Sequence, residues 1–234
     1  MRLKAVHFFF SVSCVFFNCC SETEFSGSLD TKPYSPFFSD SDLKIKQNDI
    51  QKLDEVENVF NEIIKEFTTI DLIIQSSGVG HINPTLAWNK EEETIFTNVV
   101  GATKLYDLSF NLFRNQGFGH LVGITSIASI RGNRGAPAYF SSKAYQKAYL
   151  ESLYMKTKTI KSNKVFITDI RPGFVDTAMA LGEGIFWMVS LEKAAKQIYT
   201  AIKKKKRVAY ISKRWRLIAL FLKIAPASLL KKMI

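Results

Sequence analysis

Two hydrophobic periods alternate along most of this chain. Leu53, Val56, Phe60, Ile63, Ile64 and Phe67 recur at helical spacing and predict an amphipathic helix over 52–67. Just before it, "LKIKQND" reads as a short strand ending at Asp49. "IDLIIQSSG" is an apolar run stopped by Ser-Ser-Gly, which predicts a buried strand leaving into a loop. Residues 90–115 are helical in period, with Ile95, Val99, Leu105, Leu108 and Leu112 as expected core contacts. "GHLVGITS" predicts another buried strand. A helix over 137–160 follows, with Pro137 in its first turn, where the missing N–H has no helical partner to lose. "KVFITDIRPG" is a strand ended by Pro-Gly, residues 190–203 are helical, and "RVAYIS" is a last short strand.

Strands alternating with helices imply parallel βαβ units. The expected fold is α/β, a doubly wound parallel sheet in a single domain, covered on both faces. Ligands of such sheets gather at the carboxyl ends of the strands. Here those ends are small or polar: Asp49, Ser76-Ser77-Gly78, Thr125-Ser126 and Arg171-Pro172-Gly173. They should converge on one crevice.

Composition narrows the chemistry. The 234 residues are 47% hydrophobic and 23% charged, which suits one domain with a sizeable core. All three cysteines, Cys14, Cys19 and Cys20, lie near the N-terminus, so the body has no disulfide framework or thiolate metal site. His7, His81 and His120 are scattered, and no metal centre is expected. The net charge of +11 is uneven: Glu192–Ile234 carries 13 Lys/Arg against 1 Asp/Glu, leaving 19 against 20 in the rest.

One stretch raises a sharper possibility. In "PAYFSSKAYQKAYLESL", Tyr139 and Lys143 lie four positions apart, on one helix face. Alone the pair is commonplace. Ser126 stands 13 residues earlier at a strand end, Asn98 lies in "TNVVGA", and "RPGFVDT" runs from Arg171 to Thr177. In this order the set resembles the short-chain dehydrogenase/reductase family over residues 43–212, with its Ser, Tyr-x-x-x-Lys, helix asparagine and Pro-Gly-x-x-x-Thr segments. The resemblance implies hydride transfer between NAD(P), NADP being slightly favoured, and a carbonyl or alcohol. It implies Tyr139 as proton donor or acceptor, with a pKa lowered by the Lys143 ammonium. It implies Ser126 against the substrate oxygen, and Asn98 holding a water that connects Lys143 to solvent. Its cofactor contacts would be Asp49 and Ile50 near the adenine, Ser76 and Gly78, Tyr139 and Lys143, and Pro172, Gly173, Val175 and Thr177 near the nicotinamide.

The sequence departs from the family in two places. "QSSG" stands where Asn-Asn-Ala-Gly is usual, keeping Gly78, with Gln75 and Ser76 still able to hydrogen-bond. More seriously, no Thr-Gly-x-x-x-Gly-x-Gly turn precedes Asp49, and Gly27 stands alone among residues 1–41. Arg2 and Lys4 before the apolar stretch Ala5–Phe17 suit a secretory signal or anchor. Alternatively "MRLKAV" starts the first strand, and residues 7–41 come from a damaged or mis-assembled reading frame. The expected division is an atypical segment 1–41, a catalytic domain 42–212 whose first βαβ unit is incomplete, and a basic apolar tail 213–234.

That tail clusters Trp215, Leu217, Ile218, Leu220, Phe221, Leu222 and Ile224 among cations. Lys203–Arg207 reads first as a solvated helix end. The rest reads as a lipid-surface helix, with Trp215 and the leucines at headgroup level, or as an apolar dimer contact. No nucleic-acid partner is expected. Phe174, Ile185, Phe186, Trp187 and Met188 suggest either an apolar substrate or ordinary core packing. The expected location is cytoplasmic, with membrane association through the tail. The resemblance implies a homo-oligomer paired through the helices at 90–115 and 137–160. A dehydrogenase fold without turnover, lacking the glycine turn, is the competing reading.

Overall fold

The computed structural model describes residues 48–176, 187–226 and 228, and the backbone of residues 5–8. Thr177, Ile185, Phe186, most of the expected strand at 43–49, and the place of the missing glycine turn lie outside the described residues.

Five parallel strands lie side by side in chain order: β1 (Ala5–Phe8), β2 (Leu72–Gln75), β3 (Phe118–Ile124), β4 (Lys164–Pro172) and β5 (Val208–Ile211). Leu72 pairs with Ala5 on one side and with His120 on the other. Ile124 pairs with Ile170, and Pro172 with Ile211. The backbone of Ala5–Phe8 thus belongs to the sheet and runs two residues past "MRLKAV".

Among the described residues, six helices cover the sheet: α1 (Leu53–Glu66), α2 (Trp88–Ile95), α3 (Ala102–Gln116), α4 (Pro137–Thr157), α5 (Leu191–Lys203) and α6 (Trp215–Ile224). Side chains alternate along each strand, so the sheet feeds two cores. Ile73, Leu121, Val165 and Ile167 face one way and pack with Val56 and Phe60 of α1, Leu105, Phe110 and Phe113 of α3, and Leu150 and Leu153 of α4. Val122, Ile124, Ile170, Ala209 and Ile211 face the other way and pack with Ala194, Ile198 and Ala201 of α5. Burial on both faces is why the strands read as apolar runs.

Two expected elements differ. The Asn48–Asp49 end of the strand expected at 43–49 is a loop leading into a turn. The Asp49 carboxylate accepts a hydrogen bond from the Gln51 N–H at 2.9 Å, and its carbonyl accepts from the Lys52 N–H at 3.0 Å. A short acidic side chain that bonds its own backbone favours turn over strand. The helix expected over 90–115 contains a wide π-type turn, Phe96–Gly101, between α2 and α3. That turn shifts the helical phase. Ile95 is therefore 37% exposed, against expectation, while Thr94, Thr97 and Asn98 are buried. Leu105 is in the core as expected, Leu108 and Leu112 only flank it, and Tyr106, Phe110 and Phe113 complete the buried face.

Candidate active site

Helix α4 brings the central residues together. Ser142, Lys143, Gln146, Leu150 and Leu153 form its buried face, polar at the N-terminal half and apolar beyond. The polar half points at the carboxyl ends of β2 and β3. Tyr139, Lys143 and Gln146 fall at i, i+4 and i+7, so one stripe carries all three.

Lys143 is 5% exposed. Its ammonium donates to the Ile124 carbonyl at the end of β3 (3.2 Å) and to the Gln146 carboxamide oxygen (3.1 Å). Burial pulls its pKa down to about 8, with the Asp169 carboxylate working the other way. At neutral pH it remains mostly charged. A methyl group added at Gly78 would stand 3.1 Å from this ammonium and 3.2 Å from Asn98 Oδ1. Glycine is needed there so that the loop after β2 can lie directly over both groups.

Ser126 caps the short 3₁₀ turn Ile127–Ile130, its Oγ accepting from the Ala128 N–H at 3.1 Å. Its hydroxyl stands toward the Tyr139 phenol and favours the phenolate. Tyr139 is half-buried, and its ring centroid lies 6.0 Å from the Lys143 ammonium. Burial holds the phenol above its ordinary pKa, and Ser126 only partly offsets this. The direction is opposite to the lowering expected from the Lys143 ammonium, because burial of the phenolate dominates. At neutral pH Tyr139 carries its proton and is a donor.

Asn98 is fully buried because the wide turn rolls it inward. Its carboxamide locks the loop after β2, donating to the Val79 carbonyl (2.7 Å) and to Ser142 Oγ (3.0 Å) while accepting from the Val79 N–H (2.9 Å). Its backbone carbonyl accepts from the Gln146 carboxamide nitrogen at 2.8 Å. Gln146 thus joins Asn98 to Lys143 with one side chain. Sequence reasoning passed over it, although its seven-residue spacing from Tyr139 marks the same face.

The remaining expected residues fall into three groups. Gly78, Asn98, Ser126, Tyr139 and Lys143 form one cluster, with Ser76 half-buried two residues before Gly78. Asp49 and fully buried Ile50 sit at the start of α1, Ile50 against Gly101 of the wide turn. Pro172, Gly173 and Val175 leave the end of β4 toward β5 and α6: the Gly173 N–H donates to the Ile211 carbonyl at 2.6 Å, and Val175 bridges to Val189. Gln75, expected to remain able to hydrogen-bond, does so inside the protein, with the Tyr106 hydroxyl (3.0 Å) and the Ser77 carbonyl (2.8 Å).

These groups fit the nicotinamide end of a dinucleotide: a cation, a protonated phenol, a hydroxyl beside it and a glycine-lined approach at the carboxyl ends of parallel strands.

Comparison with known proteins points the same way. Residues 39–183 match the short chain dehydrogenase family. An uncharacterised oxidoreductase of Myxococcus xanthus is 32% identical over 133 residues, 56% of this chain and 51% of that protein. A sepiapterin reductase of Chlorobaculum tepidum is 31% identical over 133 residues, 56% of this chain and 53% of that protein. The chain spans about half the length of these two relatives. Among solved structures, a short chain dehydrogenase from Burkholderia cenocepacia in complex with NADP superposes with a TM-score of 0.71 at 16% identity, covering 83% of this chain and 82% of its own.

Proposed function

The chain belongs to the short-chain dehydrogenase family, and on that premise we propose that it is an NAD(P)-dependent oxidoreductase acting on a carbonyl or the matching alcohol. A nicotinamide cofactor would supply or accept the hydride. Ser126 would hold the substrate oxygen beside the Tyr139 hydroxyl, where charge develops. Tyr139 would deliver the proton to that oxygen in reduction and take it back in oxidation. Lys143 would hold the ribose hydroxyls and resupply the phenol. Gly78 would let backbone approach the cofactor, and Val175 would lie toward its carboxamide. The observation that carries this reading is the meeting of Tyr139, Lys143, Asn98 and Gly78 at the carboxyl ends of β2 and β3. NADP is the favoured cofactor, as in the NADP complex to which this fold is similar. Pairing of two copies through α3 and α4 belongs to the same reading, with Tyr145 and Met155 exposed on α4.

The second reading is a dehydrogenase fold without turnover. It rests on one observation: a single glycine, Gly27, among residues 1–41, where the family places its pyrophosphate turn. Titration with NADPH and NADH separates the two. Quenching of tryptophan fluorescence with a raised melting temperature, and cofactor oxidation with a panel of ketones, support the oxidoreductase. Absence of any thermal or fluorescence response to either cofactor overturns it.

A further inference from the structure

Helix α6 is apolar on two sides. Trp215 and Ala219 are buried, with Ile218 and Leu222 half-buried beside them. Trp215 is thus spent on the protein interior, contrary to its expected place at headgroup level: Phe174 meets its ring edge-on at 5.5 Å and Trp187 at 6.3 Å. The second side is Leu217, Leu220, Phe221 and Ile224, exposed by 69, 57, 42 and 73%. Their spacing, i, i+3, i+4 and i+7, is a single stripe along a ten-residue helix. Scattered exposed leucines need no explanation, but a stripe of four does.

The surroundings of the stripe say what it meets. Lys213, Arg214, Arg216 and Lys223 are exposed on or beside α6, and no acidic residue follows Glu192 in the sequence. A second copy laid on this stripe would set like charges against each other with no carboxylate from the segment to pair them. An anionic bilayer surface offers both complements at once: negative headgroups for the cations and acyl chains for the stripe. No described helix is long and apolar enough to cross a membrane, so α6 would lie in the plane of the surface.

We propose that α6 is a lipid-docking helix that seats the protein on anionic membranes through Leu217, Leu220, Phe221 and Ile224. Its position ties docking to the candidate site. A methyl group at Gly173 would stand 2.0 Å from the Trp215 ring, so the helix rests directly on the Pro-Gly turn. The Arg131 guanidinium donates to the Ala225 carbonyl at 3.0 Å, and Arg131 follows the turn that Ser126 caps. Membrane contact therefore falls next to the Pro-Gly turn and to the short turn that Ser126 caps. A carbonyl compound dissolved in the bilayer is the substrate class that this placement favours, a point that rests on the oxidoreductase reading.

The test uses the full chain with vesicles of phosphatidylcholine alone or mixed with phosphatidylglycerol. Two combined variants are compared: Lys213→Glu, Arg216→Glu and Lys223→Glu; and Leu217→Ser, Leu220→Ser, Phe221→Ser and Ile224→Ser. Unchanged near-ultraviolet dichroism and melting temperature confirm that each is folded. Wild type should pellet with the anionic vesicles, the charge reversal should lower partitioning by about a hundredfold or more, and the serine variant should lose the portion that survives high salt. Equal partitioning of all three proteins, or no pelleting with either vesicle, overturns the proposal. Self-association lost in the serine variant, without vesicle binding, also overturns it and assigns the stripe to a second copy. Vesicle binding needs no turnover, so an inactive protein that pellets leaves the docking inference standing and removes only the reading of the substrate.

Discussion

The Lys143 ammonium donates to the Gln146 carboxamide oxygen at 3.1 Å, within the buried face of α4. An acceptor on the charged form favours that form. Gln146 therefore opposes the burial that pulls Lys143 down to about 8. Turnover that requires the ammonium should fall as pH rises through this value. Gln146→Leu should move that alkaline limb to lower pH, and Gln146→Glu to higher pH, each by roughly one unit. A limb unmoved in both variants would leave Gln146 with a packing role only.

Tyr139→Phe removes the hydroxyl and keeps the ring. Turnover should fall by about three orders of magnitude or more, since proton transfer at this site has no substitute. Cofactor affinity should change little, because Lys143 and the loop over Gly78 are intact. Steady-state rates and fluorescence titration on the same preparation check both halves. Wild-type rates in the variant would refute the catalytic assignment.

His120 gives the fold a sensitivity to acid. It is 7% exposed on β3 with its Nε2 2.7 Å from Thr168 Oγ1, and burial pulls its pKa from 6.5 to about 4. Between those values the unfolded chain binds a proton that the folded chain refuses. Stability due to this group is complete above 6.5 and falls as pH drops toward 4, by about 3 kcal/mol in all. Urea unfolding of wild type and His120→Gln across this window measures it. The variant should lose less stability on acidification; parallel losses would show that His120 is not responsible.

Gly173 is fixed by its neighbour rather than by its own backbone. Since an added methyl group would meet the Trp215 ring at 2.0 Å, Gly173→Ala should destabilise the protein by about 1–3 kcal/mol. In a Trp215→Leu background the same change should cost less. Additive effects in that double-mutant cycle would mean that the ring yields freely.

Much of this was legible in sequence because the signals were periodic. β2, β3 and β4 appear as apolar runs ending in small or polar residues, and α1, α4 and α5 appear close to their expected bounds. Ser126, Tyr139 and Lys143 share a cluster, as the family resemblance implies. What escaped notice has three causes. The wide turn at Phe96–Gly101 leaves no mark in a 3.6-residue pattern, so Ile95 was assigned inward and Asn98 had no geometric reason to be buried. Gln146 is polar on a face otherwise read by its hydrophobic residues. The protonation of Tyr139 depends on desolvation, which sequence spacing does not report.

The wide turn has a consequence for chain length. Each residue of an α-helix advances it by about 100°. Deleting one residue between Phe96 and Gly101 would convert the turn to regular helix and leave every residue type at the site in place. Everything before the deletion would swing by that angle relative to α3, and Asn98 would lose its hold on Val79 and Gln146. The protein should still fold, and the site would be mis-set by a rotation rather than by the loss of any group. A family pattern that scores residues by identity would pass such a chain as intact.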